Sequence, residues 1–371
     1  MRDLIVSTND AKYRRVDGRD TYPEGAGADT LDLIDASAYP PRIVASVGIS
    51  TTIAGPPQAV ALSPDGRYAV VSAPNRYDRE RGASVFENYL QLVDLQGTPP
   101  RVVDKAATSH HPQGVAFHPQ ANLLAAATAG GTVESFAIEE GRLIRKHELT
   151  VSKGRLAGIA FTPDGKAALA ALRDEQGVAV LEFAGGRLQA TPERVSAGVA
   201  PYAIDVCASG WAVVGNVGLA GLPGQAAQLA GDADTLTLID LNQRPFRAVQ
   251  HLSVPSLPEG VAISPDGRWI AALCMDGSNL APGNPARREQ GRVALFALRD
   301  GRAHPAGELP AGAGGQGIVF TADSRHLLAQ FNVDSMLAVY TVADGALADT
   351  GHRIPTTGGP VSIRAVPGRR S

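Results

Sequence analysis

One pattern of apolar and polar positions recurs along this chain: an apolar triplet, a polar turn, then a second apolar run. It reads Val60-Ala-Leu-Ser-Pro-Asp-Gly-Arg, Val115-Ala-Phe-His-Pro, Ile159-Ala-Phe-Thr-Pro-Asp-Gly-Lys and Ile204-Asp-Val-Cys, then Val261-Ala-Ile-Ser-Pro-Asp-Gly-Arg, Ile318-Val-Phe-Thr-Ala-Asp and Val361-Ser-Ile-Arg. The seven copies stand 43 to 57 residues apart, the spacing of propeller blades with four short strands each. In the turns, proline pre-sets φ for the first corner, the Asp side chain caps the turn, and Gly accepts a positive φ. These repeated aspartates are therefore turn elements, and the triplet and following run are strands A and B of a hairpin.

Strand C is a second aligned set: Thr30-Leu-Asp-Leu-Ile-Asp, Tyr89-Leu-Gln-Leu-Val-Asp, Thr132-Val-Glu-Ser-Phe, Gly177-Val-Ala-Val-Leu, Thr235-Leu-Thr-Leu-Ile-Asp, Arg292-Val-Ala-Leu-Phe and Met336-Leu-Ala-Val-Tyr. Its second column is apolar in every copy, as packing between sheets requires. A more polar strand D, such as Arg101-Val-Val-Asp-Lys, suits an outer edge that must resist pairing. Val361-Ser-Ile is a strand A with no B, C or D behind it, whereas Leu4-Ile-Val-Ser-Thr, Leu31-Asp-Leu-Ile and Arg42-Ile-Val-Ala lack a strand A. Joining them predicts one all-β domain over residues 1–371, a seven-bladed β-propeller of four-stranded antiparallel blades. Its last blade combines residues 361–371 with 1–50.

Composition narrows the partners. A chain with 44% hydrophobic and 19% charged residues is folded, and its net charge of −3 gives no reason to expect nucleic acid or an anionic membrane. No stretch is long and apolar enough to span a bilayer, and Met1-Arg-Asp-Leu-Ile-Val has no secretory signal character, which predicts a cytoplasmic protein if this is the native start. Cys207 and Cys274 are too few for a disulfide framework and read as reduced, buried thiols.

The pairing of Val6-Ser-Thr-Asn9 with Thr30-Leu-Asp-Leu-Ile-Asp35 and the Ser-Pro-Asp-Gly-Arg turns resemble the bacterial propellers of the YVTN-repeat and 6-phosphogluconolactonase-like superfamily. The resemblance spans nearly the whole chain. It implies the fold and a choice of activities, since that superfamily holds lactone hydrolases, a lactonising muconate cyclase and propellers of other roles. Fold does not choose among them.

Strand order places the D-to-A and B-to-C connections on one face. Long B-to-C connections occur at Asp10–Asp29, Arg76–Asn88, Val217–Ala233 and Met275–Gly291, in two adjacent pairs expected to form two walls over the channel. Two positions before each anchor stand Gln58, Gln113, Ala157, Tyr202, Glu259, Gln316 and Gly359, expected to ring the mouth and to line the deepest pocket there. Glu259 is the only acid of that ring, and desolvation would raise its pKa toward acid–base use. His111, two positions further out, is a second proton carrier, and Tyr202 completes the candidate catalytic set. Arg155 and Arg173 on short connections, with Arg76, suit a carboxylate or phosphate, and Gln58, Gln113, Gln316, Asn9, Asn75 and Asn332 would orient hydroxyls. No cofactor is expected. The alternative is a hard divalent cation on oxygen ligands from Glu259, Asp276, Asn216 and Asn332, as in gluconolactonase-type propellers, although the asparagines also fit as strand-end caps. The leading expectation is an enzyme acting on a small anionic metabolite, a lactone hydrolase or a lactonising, isomerase-type enzyme. The competing one is a non-catalytic propeller that binds a small ligand or a protein partner on the same face.

Overall fold

In the computed structural model, which describes residues 3–222, 233–343 and 345–366, seven antiparallel four-stranded sheets form a ring. We number the blades from the first complete one. The innermost strands of blades 1 to 7 are Val60–Leu62, Pro112–Phe117, Leu156–Phe161, Pro201–Cys207, Pro258–Ile263, Gly315–Phe320 and Gly359–Ala365. The seventh blade is assembled from both ends of the chain. Gly359–Ala365 pairs with Leu4–Asp10, which pairs with Asp29–Asp35 and then Arg42–Ile49. This is the expected clasp, described as far as Val366.

Each sheet is apolar on both faces because each packs on two neighbours. Seven buried clusters occupy the seams. Leu4, Val6, Leu31 and Leu33 of blade 7, for example, meet Val60, Leu62, Ala69 and Val71 of blade 1, and Ile5 and Ile34 meet Leu328 and Val339 of blade 6. Outermost strands alternate exposed and covered positions, as in Arg42–Ile49 and Arg142–Thr150, so the rim stays polar. In the A-to-B turns Ser63 Oγ donates to Asp65 Oδ1 (2.5 Å), Arg67 N donates to the same oxygen (3.0 Å), and Gly66 has φ +68°. Thr162–Asp164 and Ser264–Asp266 repeat this arrangement, so these aspartates serve the turns. Cys207 and Cys274 are buried free thiols. No helix among the described residues is long and apolar enough to cross a membrane.

The register corrects one alignment. Ile363, not Val361, is equivalent to Val60: Ile363 pairs with Ser7, itself opposite Asp32, as Val60 pairs with Val71 opposite Gln91. The seventh copy is therefore shifted by two residues, and Val361, not Gly359, takes the ring position. A two-residue slip preserves which face each side chain occupies, so the apolar pattern does not betray it.

Neighbouring innermost strands touch backbone to backbone at a row of glycines. A Cβ on Gly114 would lie 2.7 Å from Ala157 O, one on Gly158 2.6 Å from Tyr202 O, and one on Gly260 2.3 Å from Gln316 O and 2.9 Å from Ile318 N. Because the obstructing atoms are backbone, Gly260→Ala is expected to destabilise the protein by about 1–3 kcal/mol, read as a lower urea midpoint. Gly48→Ala, on an outer strand where an added Cβ meets nothing within 4 Å, serves as the control and should leave the midpoint nearly unchanged. Equal shifts for the two variants would show that the glycine row is not sterically required.

Candidate active site at the channel

The innermost strands of blades 2 to 6 each carry a register irregularity just before the anchor, between Pro112 and Val115, Leu156 and Ile159, Pro201 and Ile204, Pro258 and Gly260, and Gly315 and Ile318. Such bulges re-aim side chains at the end of a strand, and here they coincide with the ring residues. Gln58 reaches from blade 1 to blade 4. Ile204 N donates to Gln58 Oε1 (2.8 Å), and Gln58 Nε2 donates to Ile204 O. This amide bridge makes a waist in the channel, and the site lies on its long-loop side.

Glu259, Tyr202 and Arg173 come together there. No hydrogen bond from another described residue reaches the Glu259 carboxylate, and burial pushes its pKa up to about 7, opposed by the charge of Arg173. The Arg173 guanidinium lies 4.2 Å over the Tyr202 ring and donates from Nε to Gly221 O (3.3 Å). Tyr202 is buried, and desolvation followed by the Glu259 charge raises its phenol above the usual range. Gly221 belongs to the fourth-blade insertion, of which residues 223–232 lie outside the described residues. The cluster thus offers one carboxyl poised near neutrality, one cation on an aromatic face, and one phenol.

The remaining candidates are placed differently. Arg155 is committed to Asp174, with Nη2–Oδ1 at 2.8 Å and Nε 3.1 Å from both carboxylate oxygens. Burial alone would raise the Asp174 carboxyl, but these bonds outweigh it and hold it below the usual range. His111 is bonded through Nδ1 to Glu87 O (2.8 Å) and tilts against Phe86, with no contact to Glu259. Its Nε2 is buried without a partner, and burial lowers its pKa. Gln113 and Gln316 are buried, and Gln316 Nε2 donates to Gly315 O (3.2 Å). Arg76 is largely exposed and faces Asp78 at 3.5 Å.

The asparagines act as strand-end ties. Asn9 Nδ2 donates to Thr30 Oγ1 (2.9 Å) and Asp32 Oδ2 (2.8 Å), and Asn216 Nδ2 donates to Thr237 Oγ1 (2.9 Å). Asn75 Nδ2 bonds Ser84 Oγ (3.1 Å), and Asn332 Nδ2 bonds Pro360 O (3.4 Å). Asp276 is paired with Arg288 (3.3 Å) and Arg292 (3.5 Å), which commits its charge elsewhere than to Glu259 and a cation. Among the described residues no group of three or more His, Cys, Asp or Glu is arranged to hold a metal.

The long loops do not stand as two separate walls. Tyr22 stacks between Tyr13 (5.2 Å) and Tyr77 (4.1 Å), which joins the seventh- and first-blade insertions. Arg287 Nη2 donates to Asp17 Oδ1 (2.7 Å), and a Cβ on Gly18 would lie 2.8 Å from Ala281 N, so the seventh-blade insertion also reaches the fifth. Its root is a knot in which Lys12 Nζ contacts Asp10 (3.3 Å), Asp29 and Thr51 O (2.6 Å). This folding-over corrects the expectation of two separate walls. An axial cavity of about 350 Å³ opens on the opposite face, among the A-to-B turns, and none of Gln58, Gln113, Tyr202, Glu259 or Gln316 lines it. The residues not foreseen are Asp174, the Lys12 knot, and Asp205 and Arg364 in the opposite cavity.

No family model matches the chain, and no curated protein matches it by sequence. Solved structures do match in fold. A protein of Bacteroides uniformis and one of Bacteroides fragilis, each named a putative 6-phosphogluconolactonase, superpose with TM-scores of 0.70 and 0.73 at 18% and 15% identity. The first alignment covers 99% of this chain and 100% of the other, the second 98% of both. The periplasmic gluconolactonase of Pseudomonas aeruginosa matches at TM-score 0.69 and 16% identity over 98% of each chain. At these identities the likeness is one of fold: the chain is a seven-bladed propeller of the architecture that these lactonase-named proteins share.

Proposed function

We propose that this protein is a lactone hydrolase for a small anionic substrate, with Glu259 as general base on the long-loop side of the channel. The observation that carries the reading is the Glu259 carboxyl, raised to about 7 and without a hydrogen-bond partner among the described residues, beside Arg173 and Tyr202. A base with a pKa near the working pH is both ionised enough and basic enough to move a proton. Glu259 would take a proton from water as the oxygen attacks the lactone carbonyl carbon, and return it to the ring oxygen as the acyl C–O bond breaks. Arg173, already fixed over Tyr202, would hold the substrate's anionic group or the developing oxyanion. The names of the fold neighbours support the substrate class. Lactonisation, the reverse direction, would use the same groups.

Glu259→Gln keeps the shape and removes the base. Its kcat with a sugar-acid lactone should fall about 100- to 10,000-fold with folding intact. The wild-type kcat/KM should rise with pH through about 7, as the carboxyl ionises, and the variant should lose that limb. Retention of both rate and limb would remove Glu259 from the mechanism.

Arg173→Ala should weaken binding of an anionic substrate about 10- to 100-fold, with a dependence on salt. Arg155→Ala should change KM by less than about threefold, because its guanidinium is already spent on Asp174. Equal losses from the two variants would refute this division of roles. The non-catalytic reading predicts no turnover of any lactone by the wild type and altered affinity alone in the variants.

A further inference from the structure

The cavity on the A-to-B face has its own chemistry. With the seventh copy in its corrected register, the position after each anchor reads Ala61, Ala116, Ala160, Asp205, Ala262, Val319 and Arg364. Five small or apolar residues and one ion pair make up this column, and the pair spans blades 4 and 7. The rest of the lining is mostly apolar, with Phe117, Phe161, Phe320 and Val206 beside Thr162 and Cys207. Binding pockets have this composition, an apolar lining with few polar groups, and begin near this size.

The hydrogen-bonding capacity left over is on the cation. Asp205 Oδ2 already accepts Ile263 N at 2.8 Å. Among the described residues Arg364 makes two long contacts, Nη1 to Asp205 Oδ1 at 3.4 Å and Nη2 to Ile204 O at 3.5 Å, out of five N–H donors. A partly buried guanidinium with so little compensation is costly, and burial lowers the Arg364 pKa despite the Asp205 charge. A carboxylate would take the unused donors as a bidentate partner. A sugar or another hydroxyl-rich ligand would lose its water hydrogen bonds against phenylalanine and valine walls. At roughly 30 Å³ per small group in a liquid, 350 Å³ holds about a dozen non-hydrogen atoms.

We propose that the Asp205–Arg364 cavity is a second binding site, for a small amphipathic monocarboxylate whose head group meets Arg364 and whose apolar body fills the funnel between the phenylalanines. The Gln58 bridge to Ile204 separates it from Glu259, so the site is independent of the lactone reading. Isothermal titration of the full-length protein with octanoate, below its micellar concentration, tests it. Octanoate should bind the wild type with a submillimolar Kd, and 1-octanol, which has the same chain but no charge, at least tenfold more weakly. Arg364→Met should lose octanoate affinity at least tenfold. Asp205→Asn can still accept Ile263 N while removing the competing charge, so it should bind octanoate more tightly. Glu259→Gln should bind it like the wild type, which separates this site from the proposed catalytic one. Should Arg364→Met fail to fold, the Asp205→Asn and 1-octanol comparisons decide. Absence of octanoate binding, equal affinity for octanoate and 1-octanol, or weaker binding by folded Asp205→Asn would overturn the proposal.

Discussion

Close approach of neighbouring innermost strands is the constraint on which the rest depends. Gly114, Gly158, Gly260 and Gly317 stand where a methyl group would collide with the next blade's inner strand or with side chains packed on it. Their absence of a side chain lets the backbones of adjacent blades meet, and the channel narrows accordingly. Side chains that would otherwise share a wide pore are sorted toward one mouth or the other. Gln58, bonded to Ile204 from the far side of the ring, fixes where the sorting occurs.

Narrowness also sets the electrostatics. A carboxyl at the mouth of a wide, wet channel would keep an ordinary pKa. Glu259 is half-buried, and the Arg173 charge offsets only part of the lost hydration. On the other side of the waist, the same enclosure makes the Asp205–Arg364 pair a matter of fit rather than of simple attraction. Both groups draw their character from the ring geometry more than from their immediate sequence neighbours.

The sequence made the architecture legible because inter-blade packing demands an apolar anchor in every copy, and because the turns need Pro, Asp and Gly at fixed offsets. The orphan strands at the two ends were equally readable, since an unpaired inner strand and an unpaired outer trio have one economical solution. Of the candidate site, the repeat register nominated Glu259 as the ring's lone acid, and burial raises its carboxyl. Three things did not follow. The capture of Arg155 by Asp174 depends on a short B-to-C turn whose neighbouring charges all look alike in one dimension. The folding of the long insertions over the mouth depends on contacts such as Asp17–Arg287, between segments some 270 residues apart. The Asp205–Arg364 pair was hidden by a two-residue slip that leaves the apolar alternation intact.

Closure of the seventh blade by Gly359–Ala365 has a consequence for biosynthesis. The strand Leu4–Asp10 is synthesised before the six intervening blades, and its inner partner only after them. Until that partner emerges, the nascent chain carries an apolar strand edge with nothing to pair it, a known invitation to association with other chains. Ring closure must therefore wait for the six intervening blades to be made, and it joins segments far apart in sequence, the kind of contact that slows folding. A cell making this protein in quantity needs some means of guarding its N-terminal strands during that interval.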